Sequence, residues 1–198
     1  MSGLLPRTLD RRAVVARVLA GRRDLAVVSG LGAPTYDVAA AGDHERNFYL
    51  WGAMGGAAMI GLGLALAQPE TPVLVITGDG EMLMGFGALA TIGAQRPGNL
   101  SILVLDNGLY EETGAQLTHT VLGTDLASVA AGCGITDTVT MDHMEQLGGF
   151  AERAHRLGNA PAFAVARIAP SHALKVLPTR DGAYLKARMR QSFGQDIG

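Results

Sequence analysis

The sequence predicts an α/β fold: a single doubly wound domain whose parallel sheet is flanked by helices. Three observations predict it. Short apolar runs alternate along the chain with segments whose apolar residues recur at helical intervals. Two polar motifs, Gly78-Asp79-Gly80-Glu81 and Asp106-Asn107-Gly108, each directly follow an apolar run. They therefore leave the carboxyl ends of parallel strands, where open α/β sheets bind ligands. Finally, no repeat or linker divides the 198 residues, a length that supports one core without disulfides.

Taken in order, Thr8 is placed to cap a first helix with Val14, Val15, Val18 and Leu19 on one face. Leu25 to Val28 reads as a strand, broken by Gly30-Leu31-Gly32-Ala33-Pro34. Residues 36–47 are expected to form a polar loop leading into Phe48-Tyr49-Leu50-Trp51. The segment from Ala57 to Leu66 is apolar all round, the pattern of a helix buried on every side, here against a second subunit. Pro72 to Thr77 and Leu100 to Leu105 read as strands, with one helix from Met82 to Gln95 between them. Glu111 to Thr120 is a long polar irregular segment, of the kind that often carries function. There follow a helix from Thr124, a strand from Ile135 to Thr140 and a helix opened by Asp142 with Glu145 three residues on. Pro161 to Ile168 is a last buried strand. The basic stretch 171–198, with Leu185 and Met189 as a narrow stripe, reads as a C-terminal arm, solvated or docked on a partner chain.

Composition excludes several classes. A net charge of −2 leaves no basic footprint for nucleic acid. No apolar segment is long enough to span a bilayer, and the N-terminus lacks a signal peptide's apolar core, so a cytoplasmic location is expected. Cys133, the one cysteine, reads as a small core residue. The histidines lack zinc-type spacing. Gly61-Leu62-Gly63 and Gly85-Phe86-Gly87 lack the third glycine of a dinucleotide fingerprint and read as packing glycines.

The two motifs carry complementary chemistry. Gly78 and Gly80 let backbone approach a ligand closely, and the helix that follows aims free amides at it. Asp79 and Asn107 are hard oxygen donors, which suit Mg²⁺ completed by phosphate and water. A diphosphate held through a divalent metal uses all of these groups.

Gly78-Asp79-Gly80, twenty-five further residues and then Asp106-Asn107 resemble the signature of thiamine diphosphate-dependent enzymes, a GDG with a closing Asn pair. The pair here is Asp-Asn, with Asn107 at the metal-ligating second position. Gly52-Ala53-Met54-Gly55 stands upstream, and Met54 matches the bulky residue that bends the cofactor. The resemblance implies Mg²⁺ on Asp79, Asn107 and the Leu109 carbonyl. It implies cofactor contacts at Gly32, Ala33, Gly52, Met54, Gly78, Asp79, Gly80, Glu81, Asn107, Leu109 and Tyr110.

The run Asn47 to Gly55 looks most like the sulfopyruvate and phosphonopyruvate decarboxylases. Residues 1–198 then constitute one diphosphate-binding (PP) domain, the β subunit of a hetero-oligomer. An α subunit carrying the Pyr domain would supply the activating glutamate, and the substrate would be a small 2-oxoacid. His44 and His119, in loops expected near the cofactor edge, are candidate proton donors. Glu111 and Glu112, if they faced the substrate, would repel a doubly anionic one. A carboligase, an oxidoreductase subunit or a non-catalytic regulatory chain are the alternatives.

Overall fold

The computed structural model describes residues 6–171 and 173–195. The chain runs α1 (Arg11–Leu19), β1 (Ala26–Ser29), α2 (Ala33–Ala40), β2 (Asn47–Tyr49), α3 (Ala57–Ala67), β3 (Val73–Gly78), α4 (Asp79–Met84) and α5 (Ala88–Gln95). It continues β4 (Leu100–Asp106), β5 (Leu109–Tyr110), β6 (Gln116–Leu117), α6 (Leu126–Gly132), β7 (Asp137–Met141), α7 (Leu147–Ala154), β8 (Ala162–Arg167) and α8 (Gly182–Ser192). Six strands form one sheet in the order β2-β1-β3-β4-β8-β7, and every pairing in it is parallel.

Strand alternation sorts the core into two layers. Leu74 and Ile76 of β3 face one layer with Val15 and Val18 of α1 and Leu147 of α7. Val73 and Val75 face the other, with Leu62 of α3, Ile92 of α5 and Leu126 of α6. Both faces are covered, so the central strands read as continuous apolar runs rather than alternating ones. Each buried Val, Leu or Ile contributes about 1.5–3 kcal/mol. From β1 the chain steps outward to β2 and then returns past β1 to β3. That reversal is a topological switch point, and it opens a crevice at the carboxyl ends of β1 and β3.

Several local expectations are corrected. Residues 36–47 are not one loop: α2 starts on Ala33 with Pro34 in its first turn and buries Tyr36, Asp37 and Val38. Burial of Asp37 against Arg11 and Arg12 hides the polarity that suggested a loop. The stretch from Met82 to Gln95 is two helices, because the chain turns at Gly85, whose α-carbon packs on the Gly55 carbonyl with no room for a side chain.

Asp10 caps α1 by accepting from the Ala13 amide at 2.8 Å, while Thr8 donates to the Asp142 carbonyl. The box before α7 is made by His143 and Gln146 rather than Asp142 and Glu145. The segment expected to be irregular is framed by a small hairpin, β5 with β6, and holds short 3-10 turns at Glu111–Thr113 and His119–Leu122. His155, on the turn after α7, bonds the Val18 carbonyl at 2.8 Å.

α3 buries only the side that faces the sheet, and Met59 and Leu66 stand 43% and 51% exposed. The stripe of the C-terminal arm is neither solvated nor left for another chain. α8 packs Leu185 and Met189 onto its own domain, and Arg188 clamps Asp43 at 2.7 Å and the Asn47 carbonyl at 2.9 Å.

Candidate active site at the carboxyl edge of the sheet

A cavity of about 310 Å³ lies at the switch point, a size suited to a small-molecule ligand. Three segments build most of it, with Met54, Met84, Leu105 and Ile168 completing the wall. The turn after β1 supplies Leu31, Ala33 and Pro34, and the β3–α4 junction supplies Gly78 to Glu81. The segment after β4 supplies Asn107 and Leu109 to Thr113, and Met54 closes a side. Asp79, Asn107 and Met54, widely separated in sequence, thus line one space.

Asp79 is buried at 2% exposure. Its Oδ2 accepts from the Thr118 hydroxyl at 2.5 Å and the Thr120 hydroxyl at 3.3 Å. Its pKa is pushed up to about 7, first by burial and second by the neighbouring Asp106 carboxylate. A buried acid with that pressure on it is a receptive site for a cation. Asn107 turns its Oδ1 onto the Leu109 amide at 2.8 Å, which fixes the side chain and leaves that oxygen a second lone pair. This donor set, a carboxylate with an amide oxygen, fits a hard divalent cation.

Room for a ligand backbone is visible at Gly80. A Cβ there would lie 2.5 Å from the Tyr110 ring and 3.6 Å from the Met54 methyl. Glycine therefore keeps the cradle open between those two side chains. Met54 itself sits in a turn whose ends, Gly52 and Gly55, take positive φ of 73° and 91°. Gly52 does not line the cavity; it opens the turn that delivers Met54. Gly32 likewise stands outside the lining, at the cap of α2 and against Glu112.

Glu81 lines the cavity, but its carboxylate is occupied by protein. It accepts from the Leu31 amide at 3.0 Å, the Thr77 hydroxyl at 3.0 Å and the Ala57 amide at 3.3 Å. Burial raises its pKa, against those hydrogen bonds. Glu81 is thus the tie that joins the β1 turn, the end of β3 and the start of α3.

The two histidines separate from this site. His44 precedes β2 and so lies at the amino edge of the sheet, opposite the cavity; its ring Nδ1 accepts from the Arg46 amide. His119 follows β6 on the cavity side, but it is exposed and does not line the cavity, because its neighbours Thr118 and Thr120 turn inward to Asp79. Residues not anticipated from sequence are those threonines and Arg7, which reaches Asp106 from the N-terminal segment. The alternation of two threonines about an exposed residue in 118–120 was a usable signal; Arg7 gave none.

Fold and cavity together define an α/β domain with a small-molecule-sized cavity at the carboxyl edge of its sheet. The chain belongs to the thiamine pyrophosphate enzyme family: residues 31–166 match its C-terminal TPP binding domain. It is 47% identical over 120 residues to the sulfopyruvate decarboxylase subunit beta of Methanocaldococcus jannaschii, covering 61% of this chain and 63% of that one. It is 50% identical over 125 residues to the phosphonopyruvate decarboxylase of Streptomyces viridochromogenes, covering 63% of this chain and 31% of that enzyme. The chain therefore spans under two thirds of the first relative and about a third of the second. Among solved structures, a protein from Mycobacterium smegmatis described as a thiamin diphosphate-dependent enzyme superposes with a TM-score of 0.69 at 25% identity. That match covers 84% of this chain and 32% of that one.

Proposed function

We propose that this chain is the cofactor- and metal-binding β subunit of a two-subunit, thiamine diphosphate- and Mg²⁺-dependent 2-oxoacid decarboxylase. It converts a small 2-oxoacid of the sulfopyruvate or phosphonopyruvate type into an aldehyde and CO₂. The observation that carries this reading is the convergence of Asp79, Asn107 and Met54 on one cavity. Relatives named as beta subunits support the split architecture.

In this reading Asp79, the Asn107 amide and the Leu109 carbonyl hold Mg²⁺. The Gly78–Gly80 backbone and the start of α2, at Gly32 and Ala33, receive the diphosphate. The Gly52 carbonyl and the Met54 amide face the aminopyrimidine, with the Met54 side chain holding the cofactor bent and Tyr110 closing the cradle. Glu81 orders the segments around the cofactor rather than ligating it. When bound, the cofactor supplies the electron sink that decarboxylation requires. A partner α subunit with a Pyr domain brings the activating glutamate, and residues 1–198 form one PP domain with 171–198 as its C-terminal arm, whose helix α8 packs on the same domain. The complex is a cytoplasmic hetero-oligomer.

Neither His44 nor His119 lines the cavity, so the proton that completes the aldehyde is assigned to neither of them. Glu111 and Glu112 do line it, and Lys175 pairs with Glu112 at 3.3 Å. The pairing cancels one of the two charges that would repel a dianionic substrate.

The test is reconstitution. This chain alone should turn over poorly. Mixed with its Pyr-type partner, thiamine diphosphate and Mg²⁺, it should release aldehyde and CO₂ from sulfopyruvate, phosphonopyruvate or a monoanionic 2-oxoacid. Full activity of the single chain would remove the split-enzyme reading. Ligated or oxidised products would replace decarboxylation with carboligation or electron transfer.

A further inference from the structure

We infer that Arg7 is a positioning residue for the metal–diphosphate site: it neutralises Asp106 so that this second carboxylate can stand beside Asp79. The inference rests on the site reading above. It starts from Asp106, the first residue of the Asp-Asn pair, which is 3% exposed. An acid this deep needs a partner, and the partner comes from the far end of the sequence. The Arg7 Nη2 donates to both Asp106 oxygens at 3.0 Å, and its Nε donates to Oδ1 at 3.3 Å. The two side chains are 12% and 5% exposed, so this is a shielded ion pair rather than a surface one.

The backbone explains how Arg7 is held there. Thr8 and Leu9 donate their amides to the Arg167 carbonyl at 3.2 Å, and Ala169 donates back to the Leu9 carbonyl at 2.9 Å. Leu9 bridges Ile168 in parallel, so the N-terminal segment lies along the end of β8 and lays Arg7 across the tip of β4.

Arg7 also reaches the Asp79 side of the site. Its Nη2 donates to the Thr120 hydroxyl oxygen at 3.0 Å. That contact occupies a Thr120 lone pair and leaves the single hydroxyl proton for Asp106 or the Thr118 oxygen, each at 2.8 Å, or Asp79 at 3.3 Å. Arg7, Thr120, Asp106 and Asp79 are therefore one hydrogen-bonded unit.

The charge count gives the consequence. Asp79, Asp106 and Arg7 sum to −1. Without Arg7 the sum is −2, and although the Gly108 amide and the Thr120 hydroxyl still donate to Asp106, no cation balances this second buried carboxylate behind the site where an anionic diphosphate must settle. An asparagine at 106 would need no such counter-charge, so the requirement for Arg7 should vanish when Asp106 is made neutral.

The experiment measures thiamine diphosphate binding at fixed, saturating Mg²⁺ by titration calorimetry, using the complex with the partner subunit. Melting temperatures are recorded alongside. Arg7→Gln should weaken binding about tenfold at a temperature well below its melting point. The double variant Arg7→Gln/Asp106→Asn, which restores the count to −1, should return to within about threefold of the unmodified complex. Arg7→Lys keeps the charge without the fork and should lose only about two- to fivefold, which keeps the question answerable should the glutamine variant not fold.

An Arg7→Gln complex that binds normally despite a lowered melting temperature would reduce Arg7 to an anchor of the N-terminal segment and overturn the inference. So would a double variant no better than Arg7→Gln. Absence of Mg²⁺-dependent binding in the unmodified complex would instead bring down the site reading, and this inference with it.

Discussion

Glu81→Gln tests how the cavity is built. The carboxylate is 4% exposed and its two oxygens accept from three donors: Leu31 N, Thr77 Oγ1 and Ala57 N. A glutamine offers one acceptor oxygen. If that oxygen keeps Leu31 and Thr77, its NH₂ faces the buried Ala57 amide, a donor against a donor. Orphaning that amide costs about 1–3 kcal/mol, and each retained bond loses roughly 1 kcal/mol when its acceptor is no longer charged. Relief from burying a carboxylate offsets part of this, leaving a net loss of about 2 kcal/mol at pH 8. For a chain of this length that is a fall in melting temperature of roughly 4–8 °C.

The pH dependence has a definite sign. Burial raises the Glu81 pKa above its ordinary 4.5. Its contribution to stability is therefore fully present below 4.5 and lost as pH rises through the raised value. The variant lacks that term, so its deficit should widen as pH falls through that window. Asp79 titrates in both proteins and cancels in the difference. Thermal melts of the apo chain from pH 4.5 to 8 measure all of this. A variant as stable as the parent, or a deficit that narrows on acidification, would refute the tie.

Other outcomes follow from the same geometry. Asp79→Asn should weaken Mg²⁺-dependent thiamine diphosphate uptake by more than about 100-fold, measured by calorimetry; unchanged uptake would reject the metal assignment. Asp79, with its pKa raised from 3.8 to about 7, contributes stability to the apo chain that is complete below 3.8 and lost as pH rises through about 7. Mg²⁺ should accordingly stabilise the chain far more at pH 8 than at pH 5, as thermal shift would show. Met54→Ala, at a residue already 36% exposed, should move the melting temperature by less than about 2 °C while weakening cofactor binding roughly tenfold. Arg188→Ala removes the clamp on Asp43 and the Asn47 carbonyl. It should cost about 1–3 kcal/mol, and limited proteolysis should then cut ahead of α8 first.

The inner strands β1, β3 and β4 were legible because they are short apolar runs ended by glycine or a polar motif, and a parallel sheet covered on both faces demands such runs. Errors gathered where tertiary contacts override local pattern. α2 reads as loop because Asp37 looks solvent-facing, yet Arg11 and Arg12 from α1 bury it. The split of α4 from α5 depends on Gly55 meeting Gly85 across the fold. The amphipathic stripe of α8 was visible, but not that its own β2 and Asp43 would receive it.

At the site, the motifs announce the atoms that could face a ligand and are silent about the charges behind them. Asp79 and Asn107 stand in recognisable local patterns, since strand tips and glycine turns are local matters. What sets the charge balance around Asp79 is not local. Thr118 is 39 residues away, Thr120 is 41, and Arg7 acts on Asp106 across 99. The hairpin of β5 and β6 brings the threonines, and the Leu9 bridge to β8 brings the arginine. Motif reading therefore errs in one direction. His44 and His119 are proposed because loops near a motif look close to it. Strand polarity then sends His44 to the opposite edge, and the inward pair of threonines turns His119 to solvent. Any residue assigned to this site by sequence proximity alone should be held to the same two checks: which end of its strand it adjoins, and which of its neighbours already point inward.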